Sequence, residues 1–156
     1  MSHSDELFME EALREAQRAR ALGEVPVGAV VVLDGHIVGR GCNRAVTLHD
    51  PTAHAEIQAL REAGHVVGNY RLNDCDLYST FEPCAMCAGA ITHARIRRLI
   101  YGVENSKTGA VHSMLNVLNY PKLNHQVEVT CGVLAARCMD LLCTFYRTPR
   151  TTAENH

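Results

Sequence analysis

Apolar residues recur at helical spacing near the start of the chain: Phe8, Ala12, Ala16 and Ala19, with Met9 and Leu13 beside them. Ser4 followed by Asp5 and Glu6 places a capping residue and then acids at the positive end of a helix dipole. With Gly23 as a stop, a helix is expected over residues 5–22. The pattern then changes. Val27 to Leu33 is a run rich in β-branched residues, Asp34-Gly35 is a strong two-residue hairpin signal, and residues 36–40 return antiparallel. Residues 41–51 carry no period and read as a loop. Helical spacing resumes at Ala55, Ile57, Ala59 and Leu60, giving a second helix over residues 54–63 that Gly64 is expected to stop.

Further on, residues 77–81, 99–101 and 127–130 read as strands. Pro83 suits the first turn of a helix, where its missing N–H is unpaired anyway, and that helix should run to residue 94. Strand, helix and strand in succession predict a parallel pair with a right-handed crossover. Residues 103–125 are polar and irregular, with a short helix expected over 113–118. Leu134, Cys138, Leu141, Leu142 and Phe145 mark a last amphipathic helix, and residues 149–156 read as a frayed tail. The order predicts an α/β protein: a five-stranded mixed sheet with helices on both faces, in one domain spanning residues 1–156.

Composition narrows the class. The 156 residues are 47% hydrophobic, which suits a globular core. No apolar run approaches the roughly 18 residues of a membrane span, and the polar, acidic N-terminus is not that of a signal peptide. Seven cysteines, two of them in Cys-x-x-Cys, point to a reducing compartment and metal-bound thiolates. A net charge of −2 and a pI of about 6.5 exclude a globally basic nucleic-acid binder. Contact with nucleic acid therefore depends on local cations: Arg95, Arg97, Arg98, Lys107, Lys122, Arg147 and Arg150.

The chemistry is concentrated in two segments. Pro51-Thr52-Ala53-His54-Ala55-Glu56 supplies a histidine and a carboxylate two residues later; Glu82-Pro83-Cys84-Ala85-Met86-Cys87 supplies two thiols. One imidazole and two thiolates, each segment opening a helix, suit a zinc ion that keeps its fourth position for water. Glu56 is then spare and can move protons. Cys-x-x-Cys by itself also fits half of a structural zinc site or a redox pair. Neither needs Glu56, and no obvious fourth ligand stands nearby. Cys42, Cys75, Cys131, Cys138 and Cys143 read as core or surface thiols, and the remaining internal histidines as structural.

His54-Ala55-Glu56 with Pro83-Cys84-x-x-Cys87 resembles the signature of zinc-dependent nucleobase deaminases. Glu24-Val25-Pro26-Val27-Gly28-Ala29-Val30, Lys107-x-Gly109 and Asn124-His125 extend the likeness to the bacterial tRNA adenosine deaminases. The resemblance implies the three-layer α/β/α cytidine-deaminase-like fold, one Zn2+ per chain held by His54, Cys84 and Cys87, and Glu56 as the catalytic acid–base. It implies a cytoplasmic homodimer that converts the wobble adenosine of a tRNA to inosine. Asn43 would contact the flipped base, the Ala55 backbone would lie beside the reacting group, and Phe145 near the anticodon. Val27, Phe81, Asn105, Lys107 and Tyr146 are placed with the substrate too. Rival readings are a deaminase of free cytidine, cytosine or guanine, and a zinc-stabilised binding module without activity.

Several residues depart from that family's pattern: Phe81 before Glu-Pro-Cys, Val103-Glu104-Asn105 ahead of the lysine, and Tyr146 after Phe145. With Leu33, Ala45, Leu48, Ser106, Asn116, Asn119, Tyr120, Cys143 and Pro149, they resemble the substitutions of laboratory-evolved adenine base editors. That likeness implies an engineered chain acting on deoxyadenosine in single-stranded DNA, used fused to an RNA-guided DNA-binding protein.

Overall fold

A computed structural model describes residues 2–148; the expected tail, with Pro149 and Arg150, lies outside them. Nine elements follow in order: α1 (His3–Ala21), β1 (Gly28–Leu33), β2 (His36–Cys42), α2 (Ala55–Val67), β3 (Cys75–Phe81), α3 (Ala85–His93), β4 (Arg98–Val103), β5 (Glu128–Cys131) and α4 (Ala135–Arg147). The five strands form one sheet in the order β2-β1-β3-β4-β5. β1 runs antiparallel to β2 and β3, while β3, β4 and β5 are mutually parallel, as expected for β3 and β4 from the helix between them.

The β1–β2 turn has the chemistry its sequence suggests. Asp34 and Gly35 both adopt positive φ, 50° and 77°, the twist that joins Leu33 to His36 in a tight hairpin. β1 and β3 lie inside the sheet and are buried on both faces; β1 is accordingly apolar throughout, while β3 also buries Asp76, Ser79 and Thr80. Alternate residues serve different layers. Ala29, Val31, Leu77 and Leu99 pack with Ala55, Ala59, Ala63, Ala88 and Ile91 of α2 and α3. Val30, Val32, Tyr78 and Ile100 pack with Met9, Ala12 and Leu13 of α1 and Cys138 of α4. The result is the three-layer cytidine-deaminase-like arrangement.

The helices press close to the strands. A Cβ on Gly28 would stand 2.1 Å from the Ala12 carbonyl oxygen, and one on Gly41 would stand 2.2 Å from that of Ala55. Only glycine permits these approaches, and the second sets α2, with His54 at its head, against β2.

Four local expectations are corrected. Ser2, not Ser4, caps α1, accepting a bond from the Asp5 N–H at 3.1 Å. α2 runs through Gly64 and ends at Gly68, which takes the left-handed conformation and returns its N–H to the Gly64 carbonyl. Pro83 stands just outside α3, because Cys84 is its cap. Residues 113–118 form an irregular segment rather than a helix: the Ser113 N–H goes to a buried carboxylate, and those of Met114, Leu115, Val117 and Leu118 return to the Gly109 and Ala110 carbonyls.

Candidate active site

His54 is the residue before α2 and Cys84 the residue before α3, both extended, so the two helix starts converge. Nδ1 of His54 lies 3.6 Å from Sγ of Cys84 and 3.6 Å from Sγ of Cys87. The three ligand atoms lie within 4.8 Å of one another, and among the described residues no fourth His, Cys, Asp or Glu joins them. Zinc bonds of about 2.3 Å to sulfur and 2.0 Å to nitrogen at tetrahedral angles require a nitrogen–sulfur separation of about 3.5 Å. The donor set therefore fits one zinc ion with a position to spare.

The electrostatics agree. A hydrogen bond from Cys87, supported by His54 and opposed by burial, pulls the Cys84 thiol down to about 3. Donation to Cys84, together with burial and the nearby Glu56 carboxylate, pushes Cys87 above the ordinary thiol range. The Cys84 bond raises His54 above 6.5. The pair thus holds a thiolate and a proton that a divalent cation can replace. Glu56 is buried beside them, and burial raises its carboxyl above the usual range.

A cavity of about 270 Å³ opens over this cluster. Val27, Asn43, Ala55, Phe81, Asn105 and Tyr146 all line it, with His54, Glu56 and Cys84. Lys107 and Phe145 do not. Lys107 is exposed on the loop after β4, and Phe145 is buried, its ring 5.4 Å from that of Tyr146. Val25, Glu82 and Thr108 also line the cavity without having been assigned a role. Their positions inside the Glu24–Val30, Glu82–Cys87 and Lys107–Gly109 motifs were the available signal.

Two lining amides also brace their own loops. Asn43 donates to the Val25 carbonyl at 3.4 Å and accepts from the Ala45 N–H at 3.3 Å. Asn105 accepts from the N–H groups of Lys107 and Thr108 and donates to the Thr108 hydroxyl at 2.7 Å. Of the candidate cations, Arg97 is paired with Asp76 and Arg98 with Asp5. Lys107, Lys122 and Arg147 are exposed. A larger, mostly apolar cleft of about 770 Å³ lies along α2 and α3 and contains none of the zinc ligands.

Comparison with known proteins agrees with this geometry. The cytidine and deoxycytidylate deaminase zinc-binding region matches residues 2–103. The chain is 51% identical to a tRNA-specific adenosine deaminase of Haemophilus influenzae, over 96% of this chain and 87% of that one. It is 42% identical to a tRNA-specific adenosine deaminase of Bacillus subtilis, over 92% and 89%. A solved structure from studies of A-to-I editing by tRNA:A34 deaminases superposes with a TM-score of 0.84 at 47% identity, covering 86% of this chain and 98% of that one. The guanine deaminase of Nitrosomonas europaea shares the fold at a TM-score of 0.80 and 25% identity, over 92% of this chain and 85% of that one.

Fold, ligand triad and matched region define a zinc-dependent deaminase, an enzyme whose metal is held at the heads of α2 and α3. Within that class the chain belongs to the tRNA-specific adenosine deaminase family.

Proposed function

We propose that this protein deaminates adenosine to inosine in a single-stranded or flipped-out nucleotide, with the wobble adenosine of a tRNA as its family substrate. The observation that carries the reading is the placement of Glu56. It is buried, it is not one of the ligand triad, and it lines a cavity whose rim carries the aromatic rings of Phe81 and Tyr146. A purely structural zinc site has no use for such a carboxylate. Aromatic rims stack bases irrespective of sequence, and the names of the curated relatives support tRNA as the source of the base.

The reaction replaces the C6 amine of adenine by the oxygen of water. A C6–O bond forms, the C6–N6 bond breaks, and ammonia leaves. Zinc, when bound, supplies the Lewis acidity that lets water ionise near neutral pH. Glu56 accepts the proton of the attacking water, returns it to ring nitrogen N1, and passes a second one to the departing amine. The Asn43 amide presents both a donor and an acceptor to the base edge. The walls from Val27 and Phe81 exclude competing water.

Deoxyadenosine in single-stranded DNA is a second substrate in this reading, supported by the set of departures that resembles evolved base editors. Asn105 is the informative member. It stands in the cavity wall as a neutral amide where the family pattern has an aspartate, so it does not repel phosphate. An aspartate could keep the two bonds from the Lys107 and Thr108 N–H groups and accept from the Thr108 hydroxyl, leaving the turn intact. It would also accept from a ribose 2′-OH, the group that separates RNA from DNA. Asn105→Asp is expected to lower the DNA-to-RNA rate ratio by roughly ten- to a hundredfold, the worth of one charged hydrogen bond. An unchanged ratio removes Asn105 from this role. The same reading places the protein in the cytoplasm as a homodimer. Exposed Val66, Val67 and Tyr70 at the end of α2, beside the apolar cleft, support self-association. Fusion to an RNA-guided DNA-binding protein follows from the base-editor likeness alone.

The test is a matched set of substrates: an RNA anticodon hairpin, the same hairpin in DNA, free adenosine and free guanine. Inosine formed in the RNA hairpin supports the reading, and deoxyinosine in the DNA hairpin supports its extension. Turnover of free guanine with both hairpins untouched would replace it by a free-base deaminase.

A further inference from the structure

Two loops wall the cavity, and each is fastened to the body of the protein by a buried glutamate that the reaction does not use. Glu82 leaves only 1% of its surface exposed and lies between β3 and the zinc-ligand turn. Its Oε1 accepts from the Asn105 N–H at 3.1 Å and from the Ser113 hydroxyl. Its Oε2 accepts from the N–H groups of Val111, His112 and Ser113 at 3.0, 2.8 and 3.0 Å. Both ends of the loop over residues 105–113 thus meet on one carboxylate. Gly109 completes the contact, since a Cβ there would fall 2.5 Å from the Glu82 carboxyl carbon. The same loop is stitched to the ligand turn by the Ala110 N–H on the Pro83 carbonyl at 2.9 Å and by the Cys84–Gly109 bridge.

The opposite wall repeats the device. Glu24, also 1% exposed, accepts from the Val46 N–H at 3.2 Å, and from the Thr47 N–H and hydroxyl at 2.6 Å each. That loop carries Asn43 at its start and leads to His54.

We infer that Glu82 and Glu24 are positioning residues that set the two walls of the base cavity relative to the zinc-ligand turn, and that Glu82 in particular places Asn105 and Thr108 against the base. A carboxylate is needed because five donors from the two ends of the loop converge on Glu82. A glutamine offers one acceptor oxygen and turns an NH₂ toward N–H groups that cannot receive it. This rests on the deaminase reading above, because the position being set is that of the base. A wall displaced by about 1 Å lowers a rate by about a hundredfold when reacting groups must be aligned.

The experiment compares the zinc-loaded wild type with Glu82→Gln, Glu24→Gln and Gly109→Ala in single-turnover deamination of an RNA anticodon hairpin, with zinc content, melting temperature and hairpin Kd measured alongside. Gly109→Ala disturbs the same contact without altering any carboxylate, so it carries the test if Glu82→Gln does not fold. The expected result is a fall of about a hundredfold in the saturated rate for Glu82→Gln and Gly109→Ala. Zinc should stay at one per chain, with Kd changed far less than the rate. Glu24→Gln should fall in the same direction. An active wild type with Glu82→Gln and Gly109→Ala within about threefold of it overturns the inference, and so does loss of zinc that accounts for the lost rate. A wild type that leaves the hairpin unchanged fails the deaminase reading instead, so the two failures are distinguishable.

Discussion

Sγ of Cys84 lies 3.6 Å from Nδ1 of His54, although 30 residues separate them in sequence. The contact joins the heads of two helices on the same face of the sheet and fixes where the metal sits. Cys84→Ala or His54→Ala should leave two ligands, too few to retain zinc through purification. Metal analysis is expected to fall from about one zinc per chain to near zero, with activity lost in parallel. Zinc retained at full stoichiometry in either variant would show that the ion sits elsewhere.

Glu56 is buried beside that triad without belonging to it. Glu56→Gln should therefore keep zinc and fold while losing the proton shuttle, at a cost of about 10²–10⁴-fold in rate. Single-turnover kinetics on zinc-replete protein provide the check. A variant retaining more than about a tenth of the rate is incompatible with general acid–base catalysis by this residue.

Asp5 predicts a stability effect remote from the chemistry. It accepts from the Tyr78 hydroxyl at 2.7 Å and from both terminal nitrogens of Arg98, at 3.0 and 2.6 Å. Burial pushes its carboxyl up, but the bonds from Arg98 and Tyr78 prevail and hold it below 3.8. Asp5→Ala leaves a largely covered guanidinium unpaired and should cost about 3 kcal/mol, the lower end for a broken buried pair, because Arg98 keeps 22% of its side chain exposed. A carboxyl whose pKa falls on folding contributes fully above its unfolded value and loses that contribution as pH drops through the folded one. The stability gap between wild type and Asp5→Ala should thus be constant above pH ~5 and narrow below pH ~4. Denaturant titrations at several pH values measure it, and a gap that widens on acidification would contradict the assignment.

Much of this was legible in the chain. His54, Glu56, Cys84 and Cys87 could be read because their spacing follows helix-start geometry, which is local. Val27, Asn43, Phe81 and Tyr146 line the same cavity as Glu56. Less legible was anything set by long-range contact. Gly64 and Gly68 are equally good stop signals, but Gly68 takes the left-handed turn, and its N–H and that of Asn69 close on the Gly64 carbonyl. Residues 113–118 carry enough apolar spacing for a helix, yet Glu82, some 30 positions earlier, holds the N–H groups of Val111, His112 and Ser113, and the chain beyond folds back on the Gly109 and Ala110 carbonyls. Phe145 was expected at the substrate, but it packs inward on the buried face of α4 while its neighbour Tyr146 faces the cavity.

The central claim, that water replaces the C6 amine of an adenine, is tested most directly by isotope labelling. An RNA anticodon hairpin with one wobble adenosine is incubated with zinc-loaded protein in ordinary water and in ¹⁸O-water, and its intact mass is measured. The account predicts a gain of about one dalton in ordinary water and about three in ¹⁸O-water, as NH₂ gives way to OH at C6. An unchanged mass in both solvents, with folded and zinc-replete protein, would contradict it.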